Sequence, residues 1–208
     1  MRSYFVKTPS FVKFLFKNWI WSFSTKEKTL YLTFDDGPTP KITNWTLNLL
    51  KEYNAKATFF CVGENIAKHP KIHQNIINQN HAIGNHTNNH LNGFKTATST
   101  YLENISDFEK SNSTNSALFR PPYGRMTLAQ SIKIRKKGYK IIMWDVLSAD
   151  FDANINSEEC LENVIRNTKN GSIIVFHDSV KTQEKLFYVL PKILAYYAEK
   201  GFRFKAIS

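Results

Sequence analysis

Short apolar runs alternate with amphipathic helical patterns along most of this chain, and this alternation restricts the fold more than any other feature. In residues 173–176, Ile-Ile-Val-Phe, every position is apolar. A strand of that kind has both faces buried, as in a parallel sheet that is covered by helices or closed into a barrel. The alternation therefore predicts an α/β fold.

Seven runs have the length and composition of strands. They are residues 29–34, 57–62, 82–84, 117–119, 140–144, 172–176 and 202–207. Helical patterns cover residues 41–53, 157–167 and 182–200. The chain has 208 residues, of which 42% are hydrophobic and 22% charged, and no Pro/Gly/Ser-rich linker divides it. We therefore expect one globular domain.

The N-terminal segment, residues 1–27, is basic and aromatic and precedes the domain predicted at residues 28–208. Lys13 and Lys17 interrupt its apolar residues too often for a secretory signal peptide. No run of about 18 apolar residues exists that would predict a membrane span. A membrane-surface anchor is one interpretation of this segment. The favoured one is a segment packed against the domain.

The charge balance is 28 basic against 17 acidic residues, a formal excess of +11. This excess predicts attraction to an anion such as nucleic acid, a membrane surface or an acidic cell-wall polymer, without choosing among them. A non-catalytic polyanion-binding protein is therefore one hypothesis. The sequence has no nucleic-acid-binding motif, so nucleic acid is not expected as a partner.

Polar clusters follow five of the predicted strands. They are Asp35-Asp36, Asn85-His86, Arg120-Pro121-Pro122-Tyr123-Gly124, residues 145–150 and His177-Asp178. The carboxyl ends of parallel strands meet at one edge of a sheet or barrel, where α/β enzymes place their sites. We therefore expect these clusters to share one rim, at which His177 suits a proton-transfer role.

Asp35 and Asp36 place two carboxylates side by side, and these repel each other unless a cation compensates their charge. A metal ion is one such cation. The alternative is ordinary turn chemistry, in which Gly37 and Pro38 set the bend. Arg120 is placed rigidly by the two prolines that follow it, and it can hold Asp35 when that carboxylate binds no metal.

His86 and His90 are four residues apart, so on one turn of helix their imidazoles would project from the same face and chelate one ion. A second such pair, His69 and His73, lies away from any strand end and is interpreted as solvent-exposed. With Asp36, the first pair forms a two-histidine, one-carboxylate set. Such a set leaves positions open for water and substrate, as in catalytic zinc sites.

Taken together, these motifs resemble those of the polysaccharide deacetylases, carbohydrate esterase family 4, whose catalytic unit is the NodB-homology domain. The matching motifs are Thr33-Phe34-Asp35-Asp36-Gly37, His86-Thr87-Asn88-Asn89-His90, Arg120-Pro121-Pro122-Tyr123-Gly124 and Val175-Phe176-His177. They occur in the family's order over residues 33–178, and the likeness extends to about residues 28–208. The resemblance implies an incomplete (β/α)7 barrel, a distorted form of the TIM barrel.

The resemblance also implies a role for each matched residue. Asp35 would be the general base, His177 the general acid, and Asp150 the partner of His177. Arg120 would orient the base, and the backbone N–H of Tyr123 would help form the oxyanion hole. The implied ligands of one divalent metal ion, with zinc favoured over cobalt, nickel and manganese, are Asp36, His86 and His90.

Three positions depart from the residues that the family usually has. Phe151 stands where the family has a tryptophan, Val175 where it has a leucine, and Leu147 where it often has an aspartate. Phe151 and Val175 keep an apolar wall for an acetyl group, so the departures concern substrate preference more than chemistry. Tyr123 and Trp144 complete the substrate-binding candidates, although core packing is favoured for Trp144.

The implied activity is metal-dependent removal of acetyl groups from N-acetylglucosamine in peptidoglycan or a chitin-like glycan, with release of acetate. The alternative is the same site acting on another amide or on an O-acetyl ester, such as a cyclic amide or acetylxylan. We expect a carbohydrate substrate that carries N-acetylglucosamine, no transmembrane segment, and a monomer. The absence of a recognisable signal peptide leaves a cytoplasmic and an exported location both open.

Overall fold

The structure is a computed structural model that describes residues 4–112 and 114–208. Its centre is a curled sheet of parallel strands. The strands are β1 Thr29–Asp35, β2 Ala57–Cys61, β3 Ala82–Asn85, β4 Leu118–Phe119, β5 Lys140–Ile141, β6 Val146–Leu147, β7 Ile173–His177 and β8 Arg203–Phe204. Seven of them lie in the order β5-β4-β3-β2-β1-β7-β6, and β8 pairs with the start of β1. The predicted incomplete (β/α)7 barrel is therefore confirmed.

Helices connect the strands and cover the sheet. They are α1 Ser10–Leu15, α2 Ile42–Glu52, α3 Gly63–Lys68, α4 Pro70–Asn78, α5 Thr98–Ser111, α6 Leu128–Lys136, α7 Ser157–Asn167 and α8 Gln183–Glu199, with 3₁₀ turns at Gly93–Lys95, Pro122–Gly124 and Val180–Thr182. The helix predicted over residues 157–167 is confirmed, and a capping box between Asn156 and Glu159 explains its start. None of the helices in the described ranges has the length and apolar character needed to cross a membrane.

The largest apolar core lies between the sheet and the helices. Leu32 and Phe34 of β1 belong to this core and are fully buried. Because successive side chains on a strand point to opposite faces, Thr33 and Asp35 point to the inside of the curled sheet. The polar residues of β1 therefore lead up the inside of the half-barrel toward the carboxyl end of the strand.

The two edges of the curled sheet are β5 and β6, and residues 142–145 connect them directly. We call this connection the crossing. The strand predicted over residues 140–144 ends at Ile141, because the chain there leaves one edge of the sheet for the other. The two residues of β6 are too few to give an alternating pattern, so this strand had no signal in the sequence.

The N-terminal segment lies along the crossing. Ile20 forms a parallel bridge with Ile142, and Lys7 forms an antiparallel bridge with Val146. Trp19 and Trp21 are nearly buried in the apolar cluster at the same side of the sheet. Residues 1–3 of the predicted N-terminal segment lie outside the described residues.

Asp145, in the crossing, fastens the N-terminal segment. Its side chain is fully buried and accepts hydrogen bonds from Lys7 (2.7 Å), from Lys13 and from the hydroxyl of Ser172 (2.6 Å). Burial alone would raise the pKa of Asp145, but the hydrogen bonds from Lys13, Lys7 and Ser172 hold it below its usual value. A buried carboxylate is thus compensated by two ammonium groups from a segment more than 130 residues away in sequence.

The second histidine pair is not solvent-exposed as predicted. His73 is buried on α4, and its Nε2 lies 3.2 Å from Oδ1 of Asn112. Burial lowers the pKa of His73, so the ring is neutral at pH 7. The prediction was wrong because α4 turns one face toward the core, where Ile76 is also buried.

Candidate active site

The rim lies where the central strands end. In the sheet, Asp35 of β1 lies opposite His177 of β7, and Asn85 at the end of β3 lies opposite Cys61 and Phe119. Residues paired in register lie at the same height in a sheet. The structure therefore brings the polar residues that follow β1, β3, β4 and β7 to one edge.

Asp36, His86 and His90 form a group that could hold a metal ion, and we call it the metal-ligating cluster. Their ligand atoms all lie within 4.8 Å of one another. Oδ1 of Asp36 is 3.1 Å from Nε2 of His90 and 3.8 Å from Nε2 of His86. Two imidazoles and one carboxylate with further positions open are the ligand set of many catalytic zinc sites.

The Nδ1 atoms of both histidines also have polar partners, on the side of each ring away from Asp36. Nδ1 of His86 lies 2.8 Å from the carbonyl oxygen of Arg120, so Nδ1 carries the proton and donates it. Nδ1 of His90 lies 3.1 Å from the hydroxyl of Tyr123. Burial lowers the pKa of His86 to about 4, so its ring is neutral. Contacts of this kind fix the tautomer and orientation of metal-binding histidines.

The geometry expected for His86 and His90 requires a correction, because the pair does not lie on a helix. Residues 86–92 form a loop between β3 and the 3₁₀ turn that follows. Thr87 and His90 have positive φ values of 65° and 61°, a region that is unfavourable for residues other than glycine. The side chain of Asn85 accepts the backbone N–H of Thr87 (2.8 Å) and holds the loop. The loop, rather than helical spacing, brings the two imidazoles together.

Oδ1 of Asp36 tests independently whether this cluster fits a metal. The atom is buried and accepts no hydrogen bond from the described residues, since its contact with His90 lacks hydrogen-bonding geometry. Burial alone would raise the pKa of Asp36, but His90, His177 and His86 hold it well below its usual range. A divalent cation would satisfy such an ionised, buried oxygen. The residues present therefore fit a metal ion.

Arg120 is fully buried behind Asp35. Its Nη1 donates to Oδ1 of Asp35 and to Oγ1 of Thr33, both at 2.7 Å. Its Nε and Nη2 donate to the carbonyl oxygens of Ile142 (3.1 Å) and Met143 (3.0 Å). Because the guanidinium is a planar fork, these four hydrogen bonds fix both its position and that of the Asp35 carboxylate.

His177, at the end of β7, is paired with Asp150. Nδ1 of His177 lies 2.7 Å from Oδ1 of Asp150, and its backbone N–H donates to Oδ2 (2.8 Å). Burial favours the neutral ring, but Asp150, with smaller contributions from Asp36 and Asp35, raises the pKa of His177 to about 10. A cation bound to Asp36 would remove part of this increase and leave the part due to Asp150. His177 is therefore protonated at neutral pH.

Asp178 supports the site, although the sequence reasoning gave it no role. Its buried carboxylate accepts the backbone N–H of Gly37 (3.1 Å) and the hydroxyl of Thr43. A Cβ at Gly37 would lie 2.1 Å from Oδ2 of Asp178, so only glycine fits there. Asp178 thus holds the turn that follows β1. Its place directly after His177 in a rim cluster was the available signal.

The four substrate-binding candidates lie at different depths. Tyr123 is 62% exposed at the rim. Phe151 is 44% exposed, and its ring contacts that of His177 edge-on at 5.4 Å. Trp144 is partly buried against two apolar clusters, and Val175 is buried within β7. Tyr123 and Phe151 are therefore open to a ligand, whereas Trp144 and Val175 lie deeper in the half-barrel.

The half-barrel is shared with solved carbohydrate deacetylases. The crystal structure of the Bc1960 peptidoglycan N-acetylglucosamine deacetylase in complex with 4-naphthalen-1-yl-N-oxidanyl-benzamide superposes with a TM-score of 0.87. The two sequences are 31% identical, and the match covers 96% of this chain and 95% of the other. This likeness places the chain in the class of hydrolases that deacetylate carbohydrates.

Sequence relatives give the same class. Residues 23–142 match the family model described as polysaccharide deacetylase. A peptidoglycan-N-acetylglucosamine deacetylase of Bacillus cereus is 34% identical over 90% of this chain and 90% of its own length. A chitooligosaccharide deacetylase of Azorhizobium caulinodans is 32% identical over 76% of this chain and 77% of its own length. The chain therefore belongs to the polysaccharide deacetylase family, as its motifs predicted.

Proposed function

We propose that this protein hydrolyses the acetamide of N-acetylglucosamine residues in peptidoglycan or a chitin-like oligosaccharide and releases acetate. The names of the relatives from Bacillus cereus and Azorhizobium caulinodans support these two substrates. One observation carries the proposal for this chain. The ionised oxygen of Asp36, buried without a hydrogen bond, faces two imidazole nitrogens at the rim where Arg120 holds Asp35.

The metal-ligating cluster would hold one divalent ion. Zinc is favoured because two imidazoles and one carboxylate are ligands that it prefers, and cobalt, nickel and manganese are the alternatives. When bound, the ion supplies Lewis-acid polarisation of the acetamide carbonyl. The hydrogen bond from Nδ1 of His86 to the Arg120 carbonyl keeps Nε2 of that ring available as a ligand.

The remaining chemistry is proton transfer and charge stabilisation by the chain itself. Asp35, held by Arg120, takes the proton of the attacking water. The backbone N–H of Tyr123 donates to the carbonyl oxygen as negative charge develops there, an effect of about 3 kcal/mol. His177, kept protonated by Asp150, gives its proton to the amide nitrogen, which is a poor leaving group until it is protonated. Acetate and a glucosamine residue result.

Phe151 and Val175 would form the apolar wall against the acetyl methyl group, with Tyr123 and Trp144 beside the sugar. We also propose that the protein acts as a monomer, because one chain supplies every ligand and proton-transfer group of the site. Light scattering after gel filtration would measure its mass directly.

The activity is tested by acetate release from chitotetraose and from peptidoglycan fragments, with acetylxylan as the comparison ester. We expect chelation to abolish acetate release and added zinc to restore it. Asp35→Asn and His177→Ala should each lower kcat by roughly 10²- to 10⁴-fold, since each removes one proton-transfer group. The zinc content of Asp36→Ala, measured by elemental analysis, should fall to background.

His69→Ala is the matched control, because this histidine lies between α3 and α4, outside the metal-ligating cluster. Its zinc content and kcat should equal those of the wild type. Absence of acetate release by the zinc-restored wild type on every substrate would refute the deacetylase assignment. Activity that survives complete removal of metal would refute the metal assignment alone.

A further inference from the structure

Helix α1 carries an apolar face that points outward. Phe11, Phe14 and Leu15 are three and four residues apart, so they share one face of this helix. Their exposed fractions are 61%, 78% and 68%. Val12 and Phe16, on the other side of the helix, pack against an apolar cluster of the domain. One side of α1 thus attaches the N-terminal segment to the domain, while the other presents large apolar side chains.

Helix α6 has a similar exposed face. Leu128 and Ile132 are 65% and 52% exposed and, with Lys136, recur every four residues along the helix. Nε1 of Trp19 donates to Oγ of Ser131 (2.7 Å), so the residues that follow α1 lie against α6. The two helices therefore lie on the same side of the domain. We call their exposed apolar residues the apolar surface: Phe11, Phe14, Leu15, Leu128 and Ile132.

The two parts of the chain that carry this apolar surface are basic in sequence. Residues 1–26 contain five basic residues and residues 125–140 contain six, and neither range contains an aspartate or a glutamate. Lys17, just after α1, and Lys136, on the same face of α6 as Ile132, are both exposed. Positive charge therefore accompanies the apolar side chains on each helix.

This combination of apolar rings and positive charge discriminates among possible partners. Nucleic acid duplexes and acidic wall polymers would satisfy the charge, but they offer no apolar layer to cover exposed phenylalanine rings. A second copy of this chain would cover the rings but would bring like charges together, since the net charge is +11. An anionic lipid bilayer offers acyl chains to the rings and phosphate groups to the lysines.

We propose that the apolar surface binds an anionic lipid bilayer, with α1 lying in the interface. Phe11 and Phe14 would enter the boundary between headgroups and acyl chains, while Lys17 and Lys136 contact the headgroup phosphates. Membrane binding is independent of the proposed catalytic function, because none of these residues belongs to the metal-ligating cluster or transfers a proton. Packing against the domain and contact with a membrane are then compatible roles of residues 1–27.

Co-sedimentation with lipid vesicles tests this binding. We expect affinity for vesicles of equal parts phosphatidylglycerol and phosphatidylcholine to exceed that for phosphatidylcholine alone by about tenfold or more. Phe11→Ser combined with Phe14→Ser should weaken binding to the anionic vesicles about tenfold. Phe14→Trp should retain binding, because tryptophan suits the interface. Val180→Ser is the matched control, because this side chain is 73% exposed but lies in the 3₁₀ turn before α8.

Paired lysine substitutions separate local charge from net charge. Lys17→Gln combined with Lys136→Gln should lower the affinity for anionic vesicles about fivefold for each lysine. Lys51→Gln combined with Lys71→Gln removes the same charge from exposed positions on α2 and α4. This second pair should leave the affinity within about twofold of the wild type. An equal loss in both pairs would show attraction by net charge alone and would overturn the proposal.

The remaining controls concern folding and self-association. Because the substituted side chains are exposed, thermal unfolding of each variant should match that of the wild type. In light scattering, a dimer that Phe14→Ser abolishes would assign the apolar surface to a second copy of the chain. That result, absence of binding to anionic vesicles, or equal weakening by Val180→Ser would overturn the inference. These readouts need no turnover, so failure of the deacetylase activity would leave them unaffected.

Discussion

Two buried ion clusters, Arg120 with Asp35 at the rim and Asp145 with Lys7 and Lys13 at the crossing, are built differently. In the rim cluster, the cation Arg120 is wholly buried and holds Asp35. In the crossing cluster, the carboxylate of Asp145 is wholly buried, while Lys7 and Lys13 keep 33% and 21% of their side chains exposed. The rim cluster thus encloses both of its charges, whereas the crossing cluster encloses only its anion.

This difference corresponds to two structural roles: the rim cluster aligns a catalytic carboxylate, and the crossing cluster attaches the N-terminal segment. A guanidinium donates in fixed directions, so Arg120 sets the position of Asp35 as well as compensating its charge. An ammonium group on a flexible stem is a point charge with rotatable donors, so Lys7 and Lys13 attach the N-terminal segment without setting a precise geometry. Substitutions at the rim should therefore lower both catalytic activity and stability, whereas substitutions at the crossing should lower stability alone.

Arg120→Lys should have the largest effect. Lysine cannot reproduce four directed hydrogen bonds, so buried acceptors lose their donors at a cost of about 3–5 kcal/mol in the free energy of unfolding. We expect kcat/KM to fall at least 100-fold, because Asp35 is no longer aligned. Urea denaturation and acetate release measure the two quantities. The exposed Arg125→Lys is the control, and wild-type activity in Arg120→Lys would contradict the alignment role.

Asp150→Asn tests the second ion pair of the rim and should change the pH profile. Asp150 is the main cause that raises the pKa of His177, so without this carboxylate the pKa should fall toward the ordinary value near 6.5. Since His177 acts in its protonated form, the variant should lose kcat/KM as the pH rises through about 7. At pH 8 we expect at least a tenfold deficit relative to the wild type. An unchanged alkaline limb would show that Asp150 does not set this pKa.

The same pair contributes to stability with a defined sign. The pKa of His177 is raised on folding, so its contribution is fully present below the unfolded value near 6.5 and is lost as the pH rises through about 10. The difference in unfolding free energy between the wild type and Asp150→Asn should therefore shrink at alkaline pH.

Asp145→Asn tests the crossing cluster. Two lysines would lose a buried partner, and we expect the free energy of unfolding to fall by about 2–3 kcal/mol. The value of kcat should remain within twofold of the wild type. The exposed pair of Asp107 and Lys110 gives the control, because Asp107→Asn should cost at most about 0.5 kcal/mol. A loss of kcat as large as in Arg120→Lys would remove the distinction between the clusters.

Tyr4→Phe should have the smallest effect. This substitution tests whether the N-terminal segment influences the rim. Tyr4 lies in the N-terminal segment, but its hydroxyl donates to Oδ2 of Asp152 (2.5 Å) and its ring contacts Phe151 edge-on. We expect a loss of about 1 kcal/mol in stability and a twofold to threefold rise in KM for the glycan, since Phe151 is less well held. Tyr53→Phe is the control. A change in kcat instead of KM would contradict a role in holding the sugar.

The rim was largely predictable from sequence. Asp35 and His177 directly follow apolar runs, and the carboxyl ends of parallel strands converge in any fold of this class. A residue that directly follows a predicted strand can therefore be placed at this edge of the sheet from the sequence alone. The prediction that Asp150 is the partner of His177 needed the resemblance as well, because a single sequence does not show which rim residues touch one another.

The crossing was not predictable by the same means. Lys7 and Asp145 are 138 residues apart, and no local pattern marks one as the partner of the other. The spacing of His86 and His90 fits a helix as well as a loop, and positive φ at Thr87 and His90 leaves no signature in residue type. Such features are determined by tertiary contacts, and the hydrophobic periodicity of the sequence does not predict them.

The crossing also bears on how the protein behaves at high concentration. A curled sheet that stops short of a closed barrel has two outer strands whose backbone groups can template pairing with another chain. Here the backbone N–H of Ile20 donates to the carbonyl oxygen of Ile141 at the end of β5, and Lys7 bridges Val146 at the start of β6, so the N-terminal segment pairs with both outer strands. A chain without this segment would expose the backbone groups of both outer strands, and we expect it to aggregate at high concentration.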